Sequence, residues 1–257
     1  MTDPSPSSFR RGLADLHLAA LFLTRLPLPA LDRVEAGGLA RAMTAFPVVG
    51  AAIGAAAGLV FVVGDAVLPS VVAALLAVLA GILATGALHE DGLADSADGL
   101  GARGDRERRL EVMRDSRTGA FGVVALMFSV LLRVACVAEA PSGWAGLGAL
   151  VAAAALSRGL IPALMQVLPP ARADGLGAGA GTPDISVAAI AAGLGLIFTF
   201  AGLGTGAAVA TVCAGLAVAA VAALARRLLG GYTGDVLGAA QQAAEIAILV
   251  AAAGVWE

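Results

Sequence analysis

The sequence predicts an all-α fold: a polytopic integral membrane bundle of about seven transmembrane helices, preceded by an N-terminal interfacial or re-entrant helix. Three observations predict it. Hydrophobic residues make up 59% of the chain and charged residues only 14%, where a soluble domain carries roughly 25% charged residues. Mean hydropathy is accordingly +0.91. Apolar runs of about 20 residues recur, which is the length a helix needs to cross the hydrocarbon layer. Those runs are unbroken Ala/Leu/Val/Gly stretches, without the alternation that barrel strands require.

Taken in order, residues 1–12 are polar and read as a disordered tail, and 13–257 as one transmembrane domain. Arg10 and Arg11 before LADLHLAALFL resemble a signal peptide. TRLPLP follows instead of a small-residue cleavage site, so the segment reads as retained. Leu13–Pro29 carries His17 and Arg25 and ends in prolines, which suits an interfacial or re-entrant helix better than a span. Spans are expected at roughly 43–64, 70–88, 119–138, 145–168, 186–204, 207–225 and 236–255. Seven spans put Arg33, Arg41, the Arg103–Arg117 group, Arg172, Arg226 and Arg227 on one side. The positive-inside rule makes that side cytoplasmic, with the N-terminus inside and Glu257 outside. GAAIGAAAG (Gly50–Gly58) repeats small residues every fourth position and reads as a helix-packing face; such faces also allow a homodimer.

Other features exclude function classes. All 16 basic residues are Arg, so any phosphate contact uses guanidinium or backbone N–H groups. There is no basic stripe and only 4% aromatic residues, which argues against nucleic acid as a partner. Cys136 and Cys213 lie in separate apolar runs and read as small buried hydrophobes.

The chemistry concentrates in the cytoplasmic acidic loop 90–118, which opens with HEDGLADSADGL directly after an apolar run. It holds Glu90, Asp91, Asp95, Asp98, Asp105, Glu107, Glu111 and Asp115, eight of the 19 acidic residues. On a helix Asp91, Asp95 and Asp98 fall at i, i+4 and i+7 and share a face. Clustered carboxylates at a membrane edge repel one another, and a divalent cation relieves this. Hard oxygen ligands without a Cys or His set suit Mg²⁺, Mn²⁺ or Ca²⁺. The bland alternative is a solvated linker paired to neighbouring Args. Carboxylates, a cation and Args together suit phosphoryl transfer. Asp95-x-x-Asp98-Gly99-x-x-Ala102-Arg103 also matches the first half of the CDP-alcohol phosphotransferase signature. Of its second half only Glu111 and Asp115 stand at the right spacing, without the glycine.

A closer resemblance runs nearly end to end. FLTRLPLP (Phe22–Pro29), AFPVVGAAIG (Ala45–Gly54), HEDGLADSADGL (His89–Leu100), RLEVMRDSRTGAFGVVAL (Arg109–Leu126), LSRGLIPALMQVLPPARADGLG (Leu156–Gly177) and GGYTGDVLGAAQQAAEIAIL (Gly230–Leu249) stand in this order. In them the chain resembles the cobalamin synthase family, the adenosylcobinamide-GDP ribazoletransferases. The resemblance implies a Mg²⁺-dependent transferase in the bacterial inner membrane. Its partners would be adenosylcobinamide-GDP and α-ribazole or its 5′-phosphate, with release of GMP. It further implies that Glu90, Asp91, Asp95 and Asp98 hold the metal, and that Asp98, Asp115 and Arg117 take part in catalysis. Asp115 would complete the metal set or act as base toward the ribazole 5′ oxygen. Arg25, Arg114, Arg158, Arg172, Asp174, Thr233, Asp235 and Glu245 would contact substrate.

Several of these have plainer readings. Asp235 suits a helix N-terminus, and Arg25 a snorkelling side chain. Glu245, inside the last span and four residues after Gln241, is read as a polar wall of the substrate cavity. Arg158 lies deep and needs an acidic or backbone partner; Arg133 looks similar but lies outside the six stretches of resemblance. Two rival functions are a CDP-alcohol phosphatidyltransferase, which shares the metal chemistry, and a transporter, which would explain buried Arg158 and Glu245.

Overall fold

The computed structural model describes residues 8–31, 35, 37–172, 174–175 and 179–256. The expected tail at 1–7 and Arg33 lie outside them. Among the described residues the regular elements are helices, joined by one isolated bridge between Pro170 and Tyr232. Helix α1 (Ser8–Leu23) is followed by α2 (Gly38–Ala42), which runs through a 3₁₀ turn into α3 (Phe46–Asp65). Then come α4 (Ser70–Thr85), α5 (Leu88–Gly101), α6 (Arg106–Val112), α7 (Ala120–Ala138), α8 (Gly143–Gly159) and α9 (Ile161–Val167). The chain ends with α10 (Ile185–Leu203), α11 (Ala207–Leu229) and α12 (Gly234–Trp256). α1 begins at Ser8, inside the stretch expected to be an unstructured tail.

Local chemistry sets the ends. Ser142 caps α8 by accepting from the Ala145 N–H (3.2 Å), and Asp105 caps α6 by accepting from the Arg108 N–H (2.9 Å). Thr233 Oγ1 accepts from the Val236 N–H in the first turn of α12 (3.2 Å). Pro47 and Pro162 stand in the first turns of α3 and α9, where a missing N–H costs nothing.

Five helical stretches are long and apolar enough to cross a membrane: Gly38–Asp65, Ala120–Ala138, Gly143–Val167, Ile185–Leu229 and Gly234–Trp256. A sixth counts if α4 and α5, bent by 90° at their junction, are taken together. The expected span at 70–88 is cut short because Gly86 (φ 62°) and Ala87 (φ 58°) both adopt the left-handed conformation and turn the chain. The expected spans 186–204 and 207–225 form one apolar stretch, interrupted at Gly204 (φ 53°). A straight helix over 185–229 would separate its ends by roughly 70 Å. Both ends instead meet the same segment: Gln166 donates to Pro183 O, and Tyr232 N–H donates to Pro169 O at 2.9 Å. α10 and α11 therefore fold back on each other at Gly204. Leu79, Leu83, Phe128, Leu131, Ile197, Phe200 and Leu216 are exposed on the outside of the bundle, as lipid-facing side chains are.

The core is built on close backbone contact rather than on bulky side chains. A Cβ added at Gly50 or Gly54 of α3 would come closer than 3.0 Å to the Ala154 or Leu150 carbonyl oxygen of α8. Gly148 of α8 and Gly202 of α10 meet in the same way. α8 is thus clasped between α3 and α10, and its residues Ala149, Ala152, Ala153 and Leu156 are almost wholly buried. Small residues substitute for hydrophobic driving force, which is weak between helices in lipid. The small-residue face of α3, which the sequence offers to a homodimer, is used inside the chain.

Gly54→Leu is expected to destabilise the fold by at least about 1–3 kcal/mol, the usual range for overpacking. Thermal unfolding in detergent measures it. Gly193→Ala on α10, with open space around the site, should leave the midpoint unchanged or raise it, because alanine is the better helix former.

Candidate active site

The bend at Gly86–Ala87 starts the site. Arg25 lies across Gly86, where an added Cβ would strike its side chain, and the Arg25 N–H donates to Ala84 O at 2.8 Å. From this bend α5 crosses α12 glycine to glycine: a Cβ on Gly92 would come within 3.0 Å of Asp235 O and 3.2 Å of the Gly238 Cα. That contact sets the carboxylates of α5 beside the first turn of α12.

The helical phase then sorts the four acidic residues of α5. Asp91 is exposed and Asp95 half-buried, and these two share a face with Asp235 nearby. Burial pushes the Asp95 carboxyl up to about 6, helped by the Asp91, Asp235 and Asp98 carboxylates and opposed by Arg172. Asp98 turns away to α7, where Oδ2 accepts from the Gly119 N–H (2.7 Å) and Oδ1 from the Gly122 N–H (2.9 Å). It occupies the place of a helix cap, and its charge suits the positive end of α7. Glu90 points to the opposite side and pairs with Arg133 at 3.0 Å.

A cavity of about 200 Å³ opens between α1, α3, α5, α9 and α12. Phe22 and Phe46, stacked at 5.8 Å, form its apolar wall with Leu237 and Ile161. His89, Asp91, Arg172 and Asp235 form the polar wall. Arg172 reaches Asp235 at 3.4 Å, and the Thr233 hydroxyl donates to the same carboxylate at 3.1 Å. Of the substrate residues expected from the sequence, the structure brings Arg172, Thr233 and Asp235 together here. Arg114 grips both oxygens of Asp174 at 2.8 Å, two residues from Arg172.

Asp115 and Arg117 do not line this cavity. They pair with each other at 2.7 Å in an exposed groove, and Arg117 holds the Asp115 carboxyl down at about 2. Glu111 pairs with Arg108 at 2.6 Å. The second carboxylate pair demanded by the phosphatidyltransferase signature is therefore not brought to Asp95 and Asp98. Arg25 is also outside the cavity lining.

Arg158 and Glu245 do not line it either. They belong to a buried network of four charges. Arg133 bridges Glu90 (3.0 Å) and Glu245 (3.2 Å), and Arg158 meets Glu245 at 3.4 Å. Gln241 donates to Glu245 at 2.6 Å and to the Ser157 hydroxyl at 2.9 Å; Gln242 donates to Glu90 at 3.3 Å. Arg133 is the residue that sequence reasoning passed over. Its signal was an arginine in the middle of an apolar run, with no loop within reach.

Among the described residues no three His, Cys, Asp or Glu side chains converge as a ready-made metal site. Of the four expected ligands, Glu90 and Asp98 are engaged elsewhere. The remaining pair still fits Mg²⁺, which is commonly held by one or two carboxylates, its other positions filled by water and substrate phosphate. The carboxylate crowding that adds to burial in raising Asp95 is the unfavourable charge density such an ion relieves.

Asp98→Ala removes both acceptors from the first turn of α7 and is expected to cost about 1–2 kcal/mol. It should lower the unfolding midpoint in metal-free detergent solution. Asp95→Asn, which relieves like-charge crowding, should leave that midpoint unchanged or raise it.

All these elements lie inside a continuous likeness to known proteins. A family model described as cobalamin-5-phosphate synthase matches residues 15–253. An adenosylcobinamide-GDP ribazoletransferase of Mesorhizobium japonicum is 47% identical over 244 residues, covering 95% of this chain and 94% of its own. One from Bradyrhizobium diazoefficiens is 46% identical over 252 residues, covering 97% of each chain. One from Azorhizobium caulinodans is 47% identical over 253 residues, covering 93% of this chain and 95% of its own. No solved structure matches. A match of this extent, holding the bend, the acidic helix and the start of α12 within it, places the chain in the cobalamin-5-phosphate synthase family.

Proposed function

We propose that this protein joins α-ribazole, or its 5′-phosphate, to adenosylcobinamide-GDP, releasing GMP and forming adenosylcobalamin or its 5′-phosphate in a bacterial inner membrane. The observation that carries this reading is the likeness to named ribazoletransferases over nearly the whole chain. The site supports it with cationic and carboxylate side chains at the mouth of an apolar cavity.

The bond changes are simple. A ribose hydroxyl of ribazole attacks the phosphorus attached to cobinamide, a new P–O bond forms, and the bond from that phosphorus to the bridging oxygen breaks. The bridging oxygen leaves with GMP. The 5′ oxygen expected from the sequence to attack is unsuitable. A product that keeps its 5′-phosphate, as the family description implies, has that oxygen already esterified, so a ring hydroxyl attacks.

Arg172 holds phosphate oxygens at the cavity. Asp91 and Asp95 would hold Mg²⁺, which neutralises phosphate charge and stabilises the leaving oxygen. Asp115, kept near 2 by Arg117, is poorly matched to accepting a proton at neutral pH. Asp235, once Arg172 has turned to phosphate, takes the hydroxyl proton. The Phe22–Phe46 wall excludes water from the reacting phosphorus. The cavity admits the reacting end of the corrinoid nucleotide, not the corrin ring.

We further infer seven passes: α3, α4, α7, α8 with α9, α10, α11 and α12. The fold-back at Gly204 and the distribution of Arg support this count, with the N-terminus, α5, α6 and the 169–172 segment cytoplasmic. The domain is single, and a homodimer would use a face other than the glycine face of α3, such as the outer side of α10 and α11.

Purified protein given both substrates should release GMP with Mg²⁺ and none with EDTA. Asp91→Asn and Asp95→Asn should each lose at least about 100-fold in rate, the order expected when a phosphate-neutralising group is removed, while keeping the wild-type unfolding midpoint. No release by folded protein would overturn the reading.

A further inference from the structure

The four buried charges stand apart from the lining of the larger cavity, and each comes from a different helix. Glu90 belongs to α5, Arg133 to α7, Arg158 to α8 and Glu245 to α12. All four are buried or nearly so. The two acids and two bases cancel, and Ser129, Ser157, Gln241 and Gln242 fill much of the remaining hydrogen-bonding capacity. Next to them is a second cavity of about 30 Å³, closed on its other side by Gly54, Ala57, Ala77 and Gly81. It has room for a water molecule, and Glu90 Oε2, Arg133 Nη2 and Arg158 Nε have hydrogen-bonding capacity to spare beside it.

A buried ion-pair network is weak support for stability, because replacing it with apolar groups is often neutral. Its value lies in fixing geometry. Here one member is adjacent in sequence to a residue of the substrate cavity. Glu90 and Asp91 are successive on α5, so their side chains leave the helix about 100° apart. Whatever fixes the direction of Glu90 fixes the direction of Asp91, and of Asp95 one turn later. Asp98 ties the last turn of α5 to the start of α7. The first turn, where Asp91 stands, has otherwise only a two-residue left-handed bend before it and a crossing of α12 between glycines without side chains to interlock.

We propose that Glu90, Arg133, Arg158 and Glu245 are positioning residues: the network clamps the rotation of the acidic helix so that Asp91 faces the substrate cavity with Asp95 one turn beyond it on the same face. Arg133 is the hub, because its one Nη1 reaches both carboxylates. This rests on the proposed transferase reading for the use made of Asp91 and Asp95, but not for the clamp itself.

The test compares wild type with Glu90→Gln, Arg133→Lys and the double variant Glu90→Leu/Arg133→Met, which removes one pair without leaving a lone buried charge. Three readouts are taken: unfolding midpoint, hydrogen exchange of α5 amides, and binding of Mn²⁺ by the substrate-free protein, followed by electron paramagnetic resonance. The double variant should keep a midpoint near wild type. Its α5 amides should exchange at least tenfold faster, and Mn²⁺ should bind at least tenfold more weakly. In the GMP assay kcat should fall tenfold or more, with a higher Mg²⁺ concentration for half-maximal rate and little change in KM. Arg133→Lys, which keeps a cation, should recover part of each effect. Wild-type exchange and Mn²⁺ binding in a folded double variant would overturn the clamp. If the double variant fails to fold, the same two readouts on Glu90→Gln decide it, unchanged values overturning the proposal. If wild type itself releases no GMP, the transferase reading fails while exchange and Mn²⁺ binding still judge the clamp.

Discussion

Charge placed among lipid-facing helices has to be neutralised where it sits, and the pairing of Arg133 with Glu90 and Glu245 is where this chain meets that constraint. An isolated buried charge is severely destabilising. Three helices, α5, α7 and α12, therefore have to approach until their charged side chains touch, and Arg158 adds α8. Close approach is available because the backbones that must pass one another carry glycine and alanine. Gly92 against Gly238 lets α5 lie on α12, and Gly50 and Gly54 let α3 lie on α8. The polar centre and the small-residue seams are two halves of one solution.

The same arrangement separates tasks among residues that look alike in sequence. Glu90, Asp91, Asp95 and Asp98 lie within nine residues, yet they end in three environments. Glu90 is enclosed by an ion-pair network, Asp98 is satisfied by backbone N–H groups, and Asp91 lines the cavity with Asp95 beside it on the same helix face. Two carboxylates then stand close to Asp235 with Arg172 as the nearby cation. That balance leaves negative charge for a cation and a guanidinium for phosphate. The exposed Asp115–Arg117 and Arg114–Asp174 pairs stand outside this cavity, and their surface position makes each pair worth little by itself.

Much of this was legible from residues alone. Hydropathy located α3, α7, α8 with α9, α10, α11 and α12 to within a few residues, because a run of apolar side chains has one physical solution in a bilayer. The acidic loop was visible as chemistry for the same reason: charge adjoining a hydrophobic run asks for an explanation. What could not be read was direction. The i, i+4, i+7 spacing placed Asp98 with Asp91 and Asp95, but the bare N–H groups that open α7 claim it, and those come from 21 and 24 residues away. Glu245 read as a cavity wall because its partners, Arg133 and Arg158, are 112 and 87 residues distant. The α4–α5 bend escaped because an alanine in the left-handed region has no signature of its own.

That alanine has a mechanical meaning. Among the described residues Ala87 is the one non-glycine with positive φ, a conformation that costs an L-residue about 1–2 kcal/mol. Gly86 ends α4 by itself, as a left-handed glycine does, with the Ala87 N–H donating to Ile82 O at 2.9 Å. The second left-handed residue, Ala87, is not a preference of the corner but a load carried from α5. The salt-bridged first turn and the glycine crossing pull on α5, and the corner yields. A joint under tension of this kind is stiff in one direction only, and releasing the far anchor lets it swing.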